Sequence, residues 1–475
     1  MTPRARSARA ASLALLALAP GCVSVAVDPD AGFPGLAAEL AARTPERIDW
    51  SRGEDAAELT AAIDALLARG LTGDAAVQIA LLNNRELQAS YAALGMAQAE
   101  LVQASLLHNP VVGAGALVRG NPVDLAFGLA VDVADLFYAP LRRRTAAADF
   151  EGARLLAAGR VLDTAWAART AFIAHQADEQ MLELRRQVAD STAASAEVAR
   201  RMREAGNLRE LDLARERALA GQARLELQAA ELAALGSRER LTAILGLWGE
   251  RTAWALAESR LPEIPSELPA IAGLETRAVA RSLDLAAAAQ HLVAAQENLR
   301  LTRASRFLPE FVAGAGVERD AGRWDAGPSA AIPVPLFDRG QARLARAKLQ
   351  LVEAQDLHYA IAVQIRSALR DARDRVLAEG ERASFYRREQ LPLRERVVRE
   401  SQLQYNAMQL GVFELLRARQ EQIETAAGYV ETLRAYWLAQ ADLDLLLAGR
   451  LPPPAQGAPG PRIQEAPRFP FPTLQ

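Results

Sequence analysis

Four histidines and one cysteine are the residues best suited to metal or nucleophile chemistry, and their spacing argues against both. His108, His175, His291 and His358 lie far apart in the chain. None has a second ligand at zinc-site spacing. His358 falls on an apolar helical stripe, where a packed interior imidazole is expected. Cys22 is alone, so neither an intrachain disulfide nor a cysteine cluster can form. Two Gly-Ala-Gly runs, 113–115 and 314–316, sit inside strand-like segments. No strand-to-helix turn follows them, so they are not phosphate loops. Charges are spread along helix faces, and no Ser/His/Asp set or carboxylate pair stands out. The expectation is no enzyme, no resident metal and no cofactor.

Composition points to long packed rods. The 475 residues are 51% hydrophobic but only 5% aromatic, with abundant Ala, Leu, Arg and Glu, as in helical bundles. The formal net charge of −3 gives nucleic-acid binding no electrostatic support. Arg4, Arg6 and Arg9 precede a short apolar run, Ala10 to Ala19. That run is too short to span a bilayer and fits a signal peptide over 1–21. Leu-Ala-Pro-Gly-Cys (18–22) looks like a bacterial lipobox with Cys22 as the lipidated residue, although Pro20 replaces the usual small residue. A lipid there would tether the chain to a membrane; the alternative is an ordinary signal peptide cut near Cys22.

The elements repeat. After an N-terminal segment (22–73), a first unit spans 74–249. It has a helix ending at His108-Asn109-Pro110, strands at about 109–118 and 123–133, a long helix over 140–205, a break at Gly206 and a further helix. A proline-bearing connector covers 250–274. A second unit, 275–449, has strands at about 308–318 and 324–334, a long helix over 338–410 and a break at Gly411. Ser105 and Ser305, the two Gly-Ala-Gly runs, and Leu136-Phe137 beside Leu336-Phe337 mark a tandem duplication. The second rod, if helical throughout, is about 110 Å long. It carries a heptad seam at Leu344, Ala347, Leu351, Ala354, His358, Ile361, Ile365, Ala368 and Ala372, and Pro392 should kink it. A Pro-rich tail fills 450–475.

The strands are the informative part. Val123, Leu125, Phe127, Leu129, Val131 and Val133 share one face, while Asp124, Ala126, Gly128, Ala130 and Asp132 share the other. Each strand has about the length of a transmembrane β-strand. Four strands cannot close a barrel, and an open edge in lipid leaves backbone groups unsatisfied. A membrane reading therefore requires a barrel shared between chains. Phe137, Tyr138, Phe307, Trp324 and Phe337 gather where strands end, the place of an interfacial girdle. The alternatives are two hairpins in a soluble α+β protein, or a lipid-anchored periplasmic coiled-coil adaptor or scaffold.

Taken together, NNRELQASYAALGMAQAELVQASLLHNPVVGAG, LPEFVAGAG, PVPLFDRGQARLARAKLQLVEAQ and the breaks before LRELDLARE and VFELLRARQE resemble the TolC-like outer-membrane efflux family over roughly 74–450. The first repeat is most similar to its heavy-metal branch. The resemblance implies an α+β membrane protein. Three copies would share a twelve-stranded β-barrel, a periplasmic α-helical barrel and a mixed equatorial belt. It implies a passive exit duct for a tripartite efflux or type I secretion system, lipid-anchored in the outer membrane, with a periplasmic adaptor and an inner-membrane transporter as partners. It also implies a gate at the periplasmic helix ends. Asp212 matches a gate-linking aspartate. Counting from Gly206 and Gly411, Arg417 takes the corresponding place in the second unit, with Gln420 beyond it and Glu414 nearby. On that count an acidic ring is missing, and Arg417 could pair with Asp212 to hold the tip closed.

Overall fold

A computed structural model describes residues 28, 30, 32–46, 48, 56–117, 123–265, 273–320 and 323–453. Cys22, the signal segment 1–21, the turn at Arg119–Pro122 and the tail beyond 453 lie outside the described residues.

Three short helices, α1 (Phe33–Ala41), α2 (Ala56–Ala68) and α3 (Gly73–Asn83), lead into α4 (Arg85–Ser105). Strands β1 (Val111–Leu117) and β2 (Asp124–Asp132) follow, then α5 (Ala134–Glu204) and α6 (Glu210–Ile244). The second unit repeats the order: α7 (Leu274–Arg281), α8 (Leu283–Ala304), β3 (Val312–Asp320), β4 (Arg323–Ala331), α9 (Gln341–Phe385), α10 (Leu391–Asn406) and α11 (Val412–Ala448).

The duplication extends to single caps. Asn84 ends α3 and starts α4 at φ −66°, ψ 119°, its side chain accepting the Leu87 N–H. Ser282 does the same between α7 and α8 at φ −65°, ψ 117°, accepting from Leu285. Ser105 and Ser305 each donate back to the carbonyl four residues earlier. The last helix of each unit stops at a left-handed glycine, Gly246 or Gly449. Each is pressed against the backbone carbonyl just before the equivalent kink, Asn83 or Arg281, where a Cβ would collide.

Helix α5 is the spine. It runs 71 residues, about 107 Å, and packs on α4, α6, α8 and α11. Pro140 lies within its opening turns, so the helix starts six residues before the expected boundary; Asp132 caps it by accepting the Ala134 N–H at 3.0 Å. The seam expected on the second rod is buried at Ala347, Ala354, Ile361, Ile365 and Ala372. Further along, Leu369 takes the buried place expected of Ala368, because the α-helical period drifts from a strict heptad. His358 is only half-buried. The rod itself is interrupted by a π-helical turn, Tyr386–Gln390, just ahead of Pro392. Proline lacks the N–H that would satisfy the carbonyl four residues back, and the wider turn accommodates that loss.

The four strands form one antiparallel sheet in the order β1-β2-β3-β4. Cross-strand register places Gly113, Gly128, Gly316 and Gly327 in a single row. Among the described residues no helix is long and apolar enough to cross a membrane.

Candidate functional site

Register decides what each face of the sheet offers, since directly paired residues point the same way. One face carries Val112, Ala114, Ala116, Leu125, Phe127, Leu129, Val131, Ala313, Ala315, Val317, Ala326, Pro328 and Ala330 and one charge, Arg319, with Trp324 stacked near Phe127 at a centroid distance of 6.4 Å. The other carries the glycine row, Ala126, Ala130, Ser329 and the charges Asp124, Asp132, Glu318, Arg323 and Asp325, with Val111 and Val312 at the strand base. Glu318 and Asp325 are directly opposed there. Like charges face to face cost stability in a packed setting and favour a watered one. Among the described residues, both outer edges, β1 and β4, have no strand partner.

Acidic residues fasten the sheet to the helices. Asp132 also accepts the Phe311 N–H at 3.2 Å, joining the two units. Asp135, 2% exposed, accepts the His108 N–H at 2.8 Å and pairs with Arg142 and the His108 ring. Burial pushes its carboxyl up, but the Arg142 bond and charge with the His108 contacts outweigh that and hold it below the usual carboxylate value. Periodicity alone could not single out Asp135. Its partners come from the loop after α4 and from two turns further along α5.

The aromatic residues sit at two levels. Phe137, Phe307 and Phe337 are exposed near the helix-side end of the sheet, whereas Trp324 is at the far hairpin end. Tyr138 is half-buried, and its hydroxyl donates to the Leu308 carbonyl at 2.6 Å. Its ring therefore ties the two units together at the strand base.

At the opposite end of the helices the turns correct the sequence alignment. Gly206 and Met408, not Gly206 and Gly411, are equivalent. Both have positive φ, and their N–H groups bond Arg203 and Tyr405 in the same pattern. Gly411 instead matches Arg209, each an extended N-cap. Asp212 and Glu414 then become the third residues of α6 and α11, so both equivalent positions are acidic and complement the helix dipole. Asp212 pairs with Arg209 at 2.8 Å and lies 3.7 Å from Arg215; Glu414 accepts the Gly411 N–H at 3.0 Å. Arg417 aligns with Arg215, is largely exposed, and among the described residues pairs with Glu421 alone, at 4.0 Å. Within one chain it does not pair with Asp212. Gln420 is half-buried.

Higher up, Arg185 of α5 bridges Glu226 of α6 at 3.1 Å and Glu424 of α11 at 2.7 Å. Beside it Val188, Ala223 and Ile423 form a small core. Midway along the rods, the residues before 74, the connector and the end of α11 interlock. Leu71 bridges Leu256, Arg251 pairs with Asp64, and Arg43 donates to the carbonyls of Arg281 and Ala448. His175, 1% exposed, lies 3.1 Å from Ser237 and edge-on to Trp254. Burial lowers its pKa, and Arg238 acts in the same direction against Glu179 and Asp178. Among the described residues no group of three or more His, Cys, Asp or Glu could hold a metal ion.

This two-faced four-stranded sheet on paired long helices is similar in fold to solved outer-membrane channels, in keeping with the sequence resemblance. The outer-membrane channel OprN superposes with a TM-score of 0.67 at 19% identity, covering 86% of this chain and 95% of that one. The Neisseria gonorrhoeae MtrE channel in its open state gives 0.64 at 18%, covering 79% and 89%. In sequence, the cobalt-zinc-cadmium resistance protein CzcC of Cupriavidus metallidurans is 28% identical over 262 residues, 54% of this chain and 61% of the relative. No family model matches the chain.

Proposed function

We propose that this chain is the exit duct of a tripartite efflux or type I secretion system, passively conducting substrates across the periplasm and outer membrane. One observation carries the proposal: a sheet with an almost wholly apolar face, a face rich in Gly, Ala and charges, and two edges without a strand partner among the described residues. In lipid such edges must be closed. Three copies close them as a twelve-stranded barrel, apolar outside and wet inside, with the helices continuing as a hollow periplasmic wall. A periplasmic adaptor and an energised inner-membrane transporter complete the system. Lipidation of Cys22 would add an anchor to the outer membrane. The helix tips with Asp212 and Glu414 serve as the gate region, with Arg417 and Gln420 one to two turns further along the helices.

The test is a purified full-length chain in a planar bilayer, with gel mobility measured before and after heating. Discrete conductance and a heat-sensitive oligomer are expected. A soluble monomer without conductance would overturn the duct and leave the coiled-coil scaffold. Cobalt, zinc and cadmium are the first cargo to test in a deletion strain, given the resistance named for the sequence relative.

A further inference from the structure

The apolar face of the sheet has one charged member. Arg319 lies in the row Ala116, Leu125, Arg319, Trp324, one residue in from the hairpin ends. Every other charge assigned to a face lies on the small, polar side. An arginine placed among apolar side chains should have a reason, since its desolvation is costly at the bilayer midplane and falls away only toward the interfaces. Among the described residues Arg319 has no ion pair. Its Nε is buried without a hydrogen-bond partner, and the residue as a whole is half-buried. The row is seven residues beyond Val312 at the strand base, about 23 Å along the strand. That puts Arg319 and Trp324 at the far interface of the apolar band, with Phe137, Phe307 and Phe337 at the near one.

We infer that Arg319 is a binding site for the phosphate group of a membrane lipid, with Trp324 as its flanking anchor at headgroup depth. The inference rests on the duct reading above, because only an inserted sheet turns this face to lipid. The chemistry is direct. A planar guanidinium matches phosphate oxygens in a forked hydrogen-bond geometry. The aliphatic stem lies along the apolar surface while the cation reaches the interface. An indole prefers that same depth. Arg323, also near the hairpin end but on the polar face, provides an internal control.

The experiment incorporates the full-length protein into vesicles of phosphatidylcholine alone or mixed with phosphatidic acid. Mass spectrometry then identifies the lipid retained after mild detergent extraction. Wild type should retain phosphatidic acid in preference to phosphatidylcholine by about fivefold, the scale expected for one arginine near a membrane surface. Arg319→Gln should abolish that preference and Arg323→Gln should keep it. Preference unchanged in Arg319→Gln, or lost equally in both variants, overturns the inference while leaving the duct reading intact. Loss of the wild-type preference on adding inorganic phosphate to the extract also overturns it, assigning the site to the free anion. Failure of the wild type to float with either vesicle overturns the duct reading and this inference with it.

Discussion

Arg185 and Glu424 meet across 2.7 Å, joining the first long helix of one unit to the last helix of the other. Beyond this bond toward the tip, α10 has no buried residue and packs mainly on α11 and the π turn. The second hairpin is thus an arm whose lateral restraint at this level is Arg185 with the small Val188, Ala223 and Ile423 core. Replacement by Ala should loosen the arm without unfolding the molecule. The pair is partly exposed, so the effect should stay under about 1 kcal/mol. Amide exchange over 391–422 should accelerate up to about fivefold, and in the proposed duct closed-state conductance should rise. Unchanged exchange would show that the apolar core alone holds the arm.

Arg450 is a different kind of bond. Its guanidinium donates to both Asp163 oxygens, at 2.8 and 2.7 Å, and also reaches Asp284. All three side chains are largely buried. Arg450→Ala would leave two carboxylates facing each other without a cation, a change that costs about 3 kcal/mol or more. The denaturation midpoint should fall accordingly. Arg450→Lys should recover part of the loss, since a single ammonium cannot reproduce the fork. A midpoint equal to wild type in the Ala variant would refute this reading.

His175 should make the equatorial belt sensitive to acid. Its folded-state pKa is lowered by burial, so the unfolded chain binds the proton more readily. Stability is then fully present above the unfolded value of about 6.5 and is lost as pH falls below it, by at most about 1.4 kcal/mol per pH unit. Trp254, edge-on to the ring, reports the change by fluorescence. His175→Gln should flatten the dependence between pH 7 and 5. An identical slope in the variant would place the titrating group elsewhere.

Asp135 predicts a second loss on the acid side, at lower pH. Its pKa is held down in the folded state, so its contribution is present above about 3.9 and disappears as pH falls through the folded value. Asp135→Asn should cost about 2 kcal/mol at neutral pH, the scale of hydrogen bonds to a charged group. The variant should also lose less on acidification than wild type. Thermal unfolding at pH 7 and pH 3 checks both parts.

Much of this architecture was legible because it is periodic or repeated. Leu125, Phe127, Leu129 and Val131 announce a two-faced strand, and Ser105 with Ser305 marks the duplication. The tips were less legible because one residue type does two jobs there. Gly206 supplies a left-handed turn, whereas Gly411 is an extended N-cap, and the left-handed place in the second unit is taken by Met408. Matching glycine to glycine therefore slid the comparison by one helical turn and hid the correspondence of Asp212 with Glu414. The ties made by Asp135, Arg185 and His175 were hidden for another reason. Their partners come from other elements, and only packing reveals them.

The row Gly113, Gly128, Gly316 and Gly327 has a mechanical meaning. A wall without Cβ atoms along one line bends there first, as card folds along a score, so curvature concentrates at a fixed level. In a closed wall the aperture at that level is bounded by main chain alone. Its width is then set by strand number and tilt, and no rotamer change can shut it. Closure of the proposed duct must then be imposed elsewhere along its length.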